Sequence, residues 1–206
     1  MRYVRRLILL NVIFFLIITF KTKAQYDDYE YNDEDEDIVN TKNFIIEIHA
    51  GYNLATGDIG NIYSGGLGLG ATIEYRVTKD LSLHLTGNYI NLNAAEQLIG
   101  GAELKIVDFP VRVGGKYWYF TRNMNYYFGA ELGWHFYDFI DKRIENYQVV
   151  DYSKKYSNFG LAPLVGATFN ISDNFFLNFN ANYTIIFGTV KSISYLGLNA
   201  GVGLNF

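Results

Sequence analysis

From residue 43 to its end the chain alternates apolar residues with small or polar ones at a period of two, in eight separate runs. Successive side chains of a strand point to opposite faces, so each run reads as a strand with one apolar face. The last run shows it most plainly. Leu196, Leu198, Ala200, Val202, Leu204 and Phe206 share one face; Gly197, Asn199, Gly201, Gly203 and Asn205 share the other. A second face turned to water would carry Lys, Glu and Thr, because Gly weakens strands and adds no solvation. A face kept this small must be crowded.

The other runs are 44–52, 66–77, 81–89, 107–120, 126–136, 159–171 and 175–185. Their connections alternate in length. "TKD", "TRNMN" and "SDN" are tight, whereas the intervening segments are longer, the longest being roughly 138–157. Short turns at one end and long loops at the other are the layout of a transmembrane barrel. The predicted fold is therefore all-β, an eight-stranded antiparallel up-and-down transmembrane β-barrel. An even strand number places both ends of the barrel on the short-turn side, the periplasm.

A soluble lipocalin-like barrel has the same period and strand number, so the choice rests on which face looks inward. With the apolar face inside, the exterior would be Gly, Asn and Ser, poor in the Lys and Glu that keep soluble proteins dispersed. With the polar face inside, eight strands leave an interior that side chains just fill. The exterior is then an aliphatic band between two aromatic girdles. Tyr117, Tyr119, Tyr126, Phe128, Phe175 and Phe206 would form one girdle, and Tyr52, Tyr89, Trp134, Phe136 and Tyr183 the other. Pro110 and Pro163 fall inside strands of a sheet without an edge, so each is expected to mark a bulge or an extramembrane stretch.

The front of the chain predicts export. Residues 1–24 join a basic start, "MRYVRR", to an apolar run of 14 residues and then "KTKA". That is the pattern of a signal peptide cleaved after Ala24. Residues 25–42 read as an acidic, disordered periplasmic tail; eight of the residues in 25–37 are acidic and none is basic. The barrel is expected over 43–206. There is no cysteine, hence no disulfide and no thiolate metal site. No basic stripe is present to meet a phosphate backbone, so nucleic acid is excluded as a partner.

All three histidines, His49, His84 and His135, fall on the expected inward face, with Glu47, Glu74, Glu131, Arg76, Arg112 and Lys116. The expected role is a lumen network of ion pairs, which a narrow barrel with internal charges must form. No metal-type spacing appears, so no metal and no cofactor are expected. A lipid A acyltransferase or deacylase needs a His beside a Ser, reachable from the lipid face. Here the histidines point inward, and Ser82 and His84 stand only two positions apart. No enzyme is predicted, and no open pore, since eight strands close the core. "GLGLG" at 66–70 is no phosphate loop, since it lies within a strand.

With its "KAQ" signal end, the strand "VDFPVRVGGKYWYF" and the terminal "GLNAGVGLNF", the chain resembles the small outer-membrane barrels of Bacteroidota-type bacteria, the OmpA/OmpX-like "porin family". The resemblance covers roughly 43–206 and implies residence in the cell outer membrane, among lipid and lipopolysaccharide. It implies that Phe206, with Leu204 and Val202, is the signal by which barrel-assembly machinery recognises the chain. Three roles stay open: a structural or surface-interaction barrel; an accessory subunit of an envelope machine, such as the PorT-like barrels linked to type IX secretion, docking an envelope partner through the acidic tail; and a lipid-modifying enzyme. The first is favoured, with the long loop 138–157 as its recognition element.

Overall fold

In the computed structural model of the chain, the structure describes residues 44–95, 102–121, 124–145, 147–188 and 192–206. The signal peptide and acidic tail expected over 1–42 lie outside the described residues. Nine strands follow one another in the rest: β1 (Phe44–Thr56), β2 (Tyr63–Arg76), β3 (Leu81–Ala94), β4 (Glu103–Phe120), β5 (Asn125–Glu145), β6 (Gln148–Asp151), β7 (Lys154–Asn170), β8 (Phe175–Ile186) and β9 (Ile193–Asn205). One turn of 3₁₀ helix, Ile59–Asn61, lies between β1 and β2.

Every pairing is antiparallel. Eight strands close a ring in which β1 pairs with β9, β4 with β5, and β5 with β7. The ninth, β6, is a short appendage paired only to the far end of β5, Lys142–Glu145. The stretch 138–157 is thus not the loop expected from sequence. β5 continues past Phe136 paired on both sides, to β7 with Asp138 opposite Lys155 and Phe139 opposite Lys154, and to β4 as far as Lys142 opposite Glu103.

The apolar face is outside. Leu67 is 72 % exposed, Leu69 63 % and Val113 60 %, whereas Glu74, His84 and Arg112 are buried within the ring. Along β5 the outward face reads Tyr126, Phe128, Ala130, Leu132, Trp134, Phe136 and then alternates charged with apolar residues, Asp138, Ile140, Lys142 and Ile144. The neighbours change at the same level: Val107 is followed upward by Lys105 and Glu103 on β4, and Phe159 by Ser157 and Lys155 on β7. The stretch Tyr126–Phe136 matches the ~9–11 residues with which a tilted strand crosses a hydrocarbon layer. Above the break the outer wall is held by exposed ion pairs, Glu103 with Lys105 (2.5 Å) and Lys142 (2.9 Å), and Asp138 with Lys155 (3.4 Å).

The proline expectation is corrected. Pro110 pairs with His135 and Pro163 with Ala130, both in mid-strand; Pro110 is buried between outward Phe109 and Val111, whereas Pro163 faces out between buried Ala162 and Leu164. On the opposite edge of each proline the ladder is interrupted without a shift. Gly87–Val111 and Ile90–Asp108 keep one register, as do Leu161–Ile185 and Leu164–Asn182. A proline removes one donor, and the pairs on either side hold the strands in place, so no extra residue is needed.

Candidate functional site

The question of what crowds the small face is answered side chain by side chain. A Cβ added at Gly70 or at Gly114 would strike the ring of its cross-strand partner, His49 or His84, and one at Gly160 would strike His135. Tyr127 occupies the space over Gly166 and Phe176 that over Gly203. These five inward glycines are seats for large rings.

Three groups of polar residues stack within the ring. Near the short turns, Lys116 Nζ lies 2.6 Å from Glu74 Oε2, and Trp118 Nε1 donates to Glu74 Oε1 (3.1 Å) and Ser82 Oγ (2.9 Å). Arg76 sits beyond them, its guanidinium 5.3 Å from the Trp118 ring and 5.4 Å from that of Phe120. At mid-height His84 Nε2 donates to Glu131 Oε1 (2.9 Å), Arg112 Nε lies 3.1 Å from Glu131 Oε2, and Arg112 Nη1 donates to Thr184 (3.2 Å). Across from them Glu47 accepts from Asn178 (2.7 Å) and lies 3.5 Å from His49, which donates to Asn88 (2.7 Å). Towards the long loops His135 Nδ1 and the Tyr195 hydroxyl both donate to Asp108 Oδ2, at 2.8 and 3.0 Å.

All nine lumen residues expected from sequence therefore lie on the inward face: the carboxylates Glu47, Glu74 and Glu131 and the cations and histidines His49, His84, Arg112, Lys116 and His135 are each drawn into an ion pair or hydrogen bond, and Arg76 lies against aromatic rings. A cavity of about 40 Å³ remains among Glu47, His49, Arg112 and Lys116, room for about three waters at ~10–15 Å³ each. The sequence reading passed over Asp108, Trp118, Tyr127 and Tyr195 as members of this network. Their positions in the alternation were the available signal: Trp118 shares a face with Lys116, and Tyr127 with Glu131.

The lumen's long-loop end is different. Here Ile59, Tyr63, Ile90, Leu92, Ile106, Tyr137, Ile186, Ile193 and Tyr195 form an apolar plug, with Leu104 and Phe139 packed on it. The upper surface of the plug is the floor of a second cavity, of about 380 Å³, under the β5–β6–β7 hairpin. Its aromatic side is ordered: Tyr63 and Phe139 rings lie 6.3 Å apart, Phe139 meets Tyr156 edge-on at 5.7 Å, and Tyr156 stacks on Tyr137 at 5.6 Å. Its charged side holds Asp141, Arg143 and Lys154, with Tyr152. Arg143 clamps Asp141 through Nε (2.9 Å) and Nη2 (2.7 Å), which holds that carboxyl below the usual carboxylate range. Burial first, and then Asp141, push the Tyr63 phenol up to about 12, so it keeps its proton at neutral pH.

No family model and no curated protein sequence matches the chain. Solved structures do. Neisserial surface protein A superposes with a TM-score of 0.58 at 19% identity, covering 79% of this chain and 97% of that one. Ail, the attachment invasion locus protein of Yersinia pestis, gives 0.54 at 16% over 80% and 99%. The outer membrane protein OprG of Pseudomonas aeruginosa gives 0.54 at 15% over 80% and 97%. At these identities the likeness is one of fold: the closed eight-stranded antiparallel barrel.

Proposed function

We propose that the chain is an integral barrel of the bacterial outer membrane, with its short turns and N-terminal segment in the periplasm, and that it serves surface interaction through its hairpin. The observation that carries this reading is the chemical break on the outer wall between Phe136 and Asp138. Strands that continue from Asp138 to Glu145 beyond a lipid-fitted band hold a sheet in water at the long-loop end. Ail's own name, attachment and invasion, describes the kind of role such a surface suits.

Conduction and catalysis fit less well. The cavity among the lumen charges holds only about 40 Å³, and the histidines face the lumen carboxylates Glu47, Glu131 and Asp108 instead of lipid. In this reading Phe206, Leu204 and Val202 act as the insertion signal for the barrel-assembly machinery. They share the outward face at the short-turn end of the β1–β9 seam, where Phe206 N–H donates to Phe44 O (2.8 Å). The acidic run at 25–37 favours a second reading, a subunit of a secretion or assembly machine docked through that run.

Trypsin added to intact cells tests the first reading. Cleavage within Lys142–Lys155, with the barrel core left in the membrane, is expected; protection there, with cleavage only after the outer membrane is opened, overturns it. Purification from native outer membrane in mild detergent tests the second, which requires a stoichiometric partner that is lost when 25–37 is deleted.

A further inference from the structure

We infer that the cavity beneath the hairpin is a binding site for a saccharide whose pyranose ring carries an acidic substituent. The inference rests on the hairpin being the exposed face of the barrel. Its volume, about 380 Å³, falls within the ~300–1,000 Å³ of small-ligand pockets. The two sides of the cavity ask for different things of one ligand. On the floor, Phe139 packs against the buried Tyr63, and Tyr156 stays 44 % exposed although its ring stacks on Tyr137; the phenols of Tyr152 and Tyr156 bring hydroxyls to the lining. Flat rings edged with hydroxyls match a sugar, which has an apolar C–H face and a polar perimeter.

The wall supplies the charge. Of the cations on the hairpin, Lys142 is engaged by Glu103, Arg143 by Asp141 and Lys155 by Asp138. Lys154 has no carboxylate partner among the described residues, and it is one of the two cations whose side chains line the cavity. The other, Arg143, lies 5.5 Å from the Tyr152 ring and turns Nε and Nη2 to Asp141. An unpaired ammonium and a guanidinium lining one cavity favour carboxylate, sulfate or phosphate over a neutral hydroxyl. Parity explains why the cation is there: Lys154 shares a face of β7 with Tyr156, whereas Lys155 points to the outer wall, where it meets Asp138.

Such a sugar has two sources, a glycan outside the cell or the bacterium's own lipopolysaccharide. The test titrates the full chain, refolded in detergent micelles, with a hyaluronan tetrasaccharide, with fully deacylated lipopolysaccharide, and with neutral lacto-N-tetraose, by calorimetry at low and moderate salt. At least one acidic probe is expected to bind, weakening with salt, and the neutral sugar to bind far less; the tighter of the two acidic probes assigns the source. Lys154→Gln should weaken the acidic probe about tenfold, as expected for one charge-assisted contact, while Lys155→Gln, one residue away on the other face, leaves it unchanged. Unaltered heat-modifiability on gels keeps a folding defect from imitating either result. No binding by either acidic probe, equal binding of the neutral one, or equal losses from the two lysine variants overturns the inference. Cell-surface cleavage of the hairpin is measured separately, so an exposed hairpin without saccharide binding would remove this site and leave the proposed function standing.

Discussion

The two ends of the lumen solve one packing problem with opposite chemistry. Near the short turns the ring is filled by Glu74, Lys116, Trp118 and Ser82, joined by hydrogen bonds and an ion pair; near the long loops it is filled by Ile90, Leu92, Ile106 and Ile193, joined by none. Both ends share the same backbone period and the same inward parity. The charged end gains its Coulomb energy only by desolvating two ions, which is often no better than packing apolar groups of equal volume. A polar lumen is therefore not demanded by the barrel. What the barrel demands is that each inward side chain be matched: a counter-charge for Glu74, a ring face for Arg76, apolar packing for Leu92.

Breaking that partnership on the charged side should produce the largest effect. Glu74→Ala strands Lys116 in a closed space, and a loss of ~3–5 kcal/mol is expected for such an uncompensated buried charge. Urea unfolding of the barrel in vesicles reads it, and a loss under 1 kcal/mol would mean that water reaches Lys116 freely. The double variant Glu74→Leu with Lys116→Leu sharpens the comparison, since turning the charged end into a second plug should restore stability to the parent value or above it.

Within the apolar end, Leu92→Ala removes a fully buried side chain and should cost ~2–5 kcal/mol by the same assay. Gly166→Ala addresses the seats. The new methyl meets the Tyr127 ring, which is tied to Asn178 (2.8 Å) and cannot retreat without giving up that bond. Overpacking of this kind costs ~1–3 kcal/mol. If Gly166→Ala is silent, the rings are looser than their contacts imply.

The smallest effect belongs to the outer wall above the lipid band. Lys105 first and Lys142 second hold the Glu103 carboxyl below its ordinary value. A carboxylate with a depressed folded-state pKa contributes stability that is complete above its ordinary pKa, ~4.3, and fades as pH falls through the lowered one. Because the group is exposed, the contribution is screened. Amide exchange at Glu103–Ile106 should quicken modestly between pH 5 and pH 3 relative to the mid-barrel stretch Val111–Gly114, after correction for intrinsic rates. An unchanged ratio would show that these pairs do not anchor the upper sheet.

How far the sequence carried this picture depended on where water stops. Inside the apolar band one face is apolar and the other is small or polar, so the period of two is legible and yields strand number, parity and the inward position of nine ionisable residues, with Asp108 passed over. Above Phe136 the contrast disappears. In 138–145 Asp138, Ile140, Lys142 and Ile144 face out while Phe139, Asp141, Arg143 and Glu145 face in, so both faces mix apolar with charged residues and the segment resembles a loop. The plug was hidden for the same reason, since Ile90 and Leu92 put apolar residues on the inward face. Pairings were beyond reach altogether. Glu74 on β2 meets Lys116 on β4 across the whole of β3, a contact set by ring closure and not by spacing along the chain.

The seam between β1 and β9 has a consequence for how the molecule comes to exist. Ala50 lies opposite Ala200 and Tyr52 opposite Leu198, so every hydrogen bond of that ladder joins opposite ends of the barrel's sequence. Such contacts carry the greatest loop-closure entropy, so they form late and set the pace of folding. Until they form, β1 presents a bare edge along its whole length, and the apolar exterior around it stands in water. The barrel is committed at one step, when its two terminal strands meet. A chaperone that shields β1 until β9 arrives would act on the one ladder whose absence leaves the ring an open, aggregation-prone sheet.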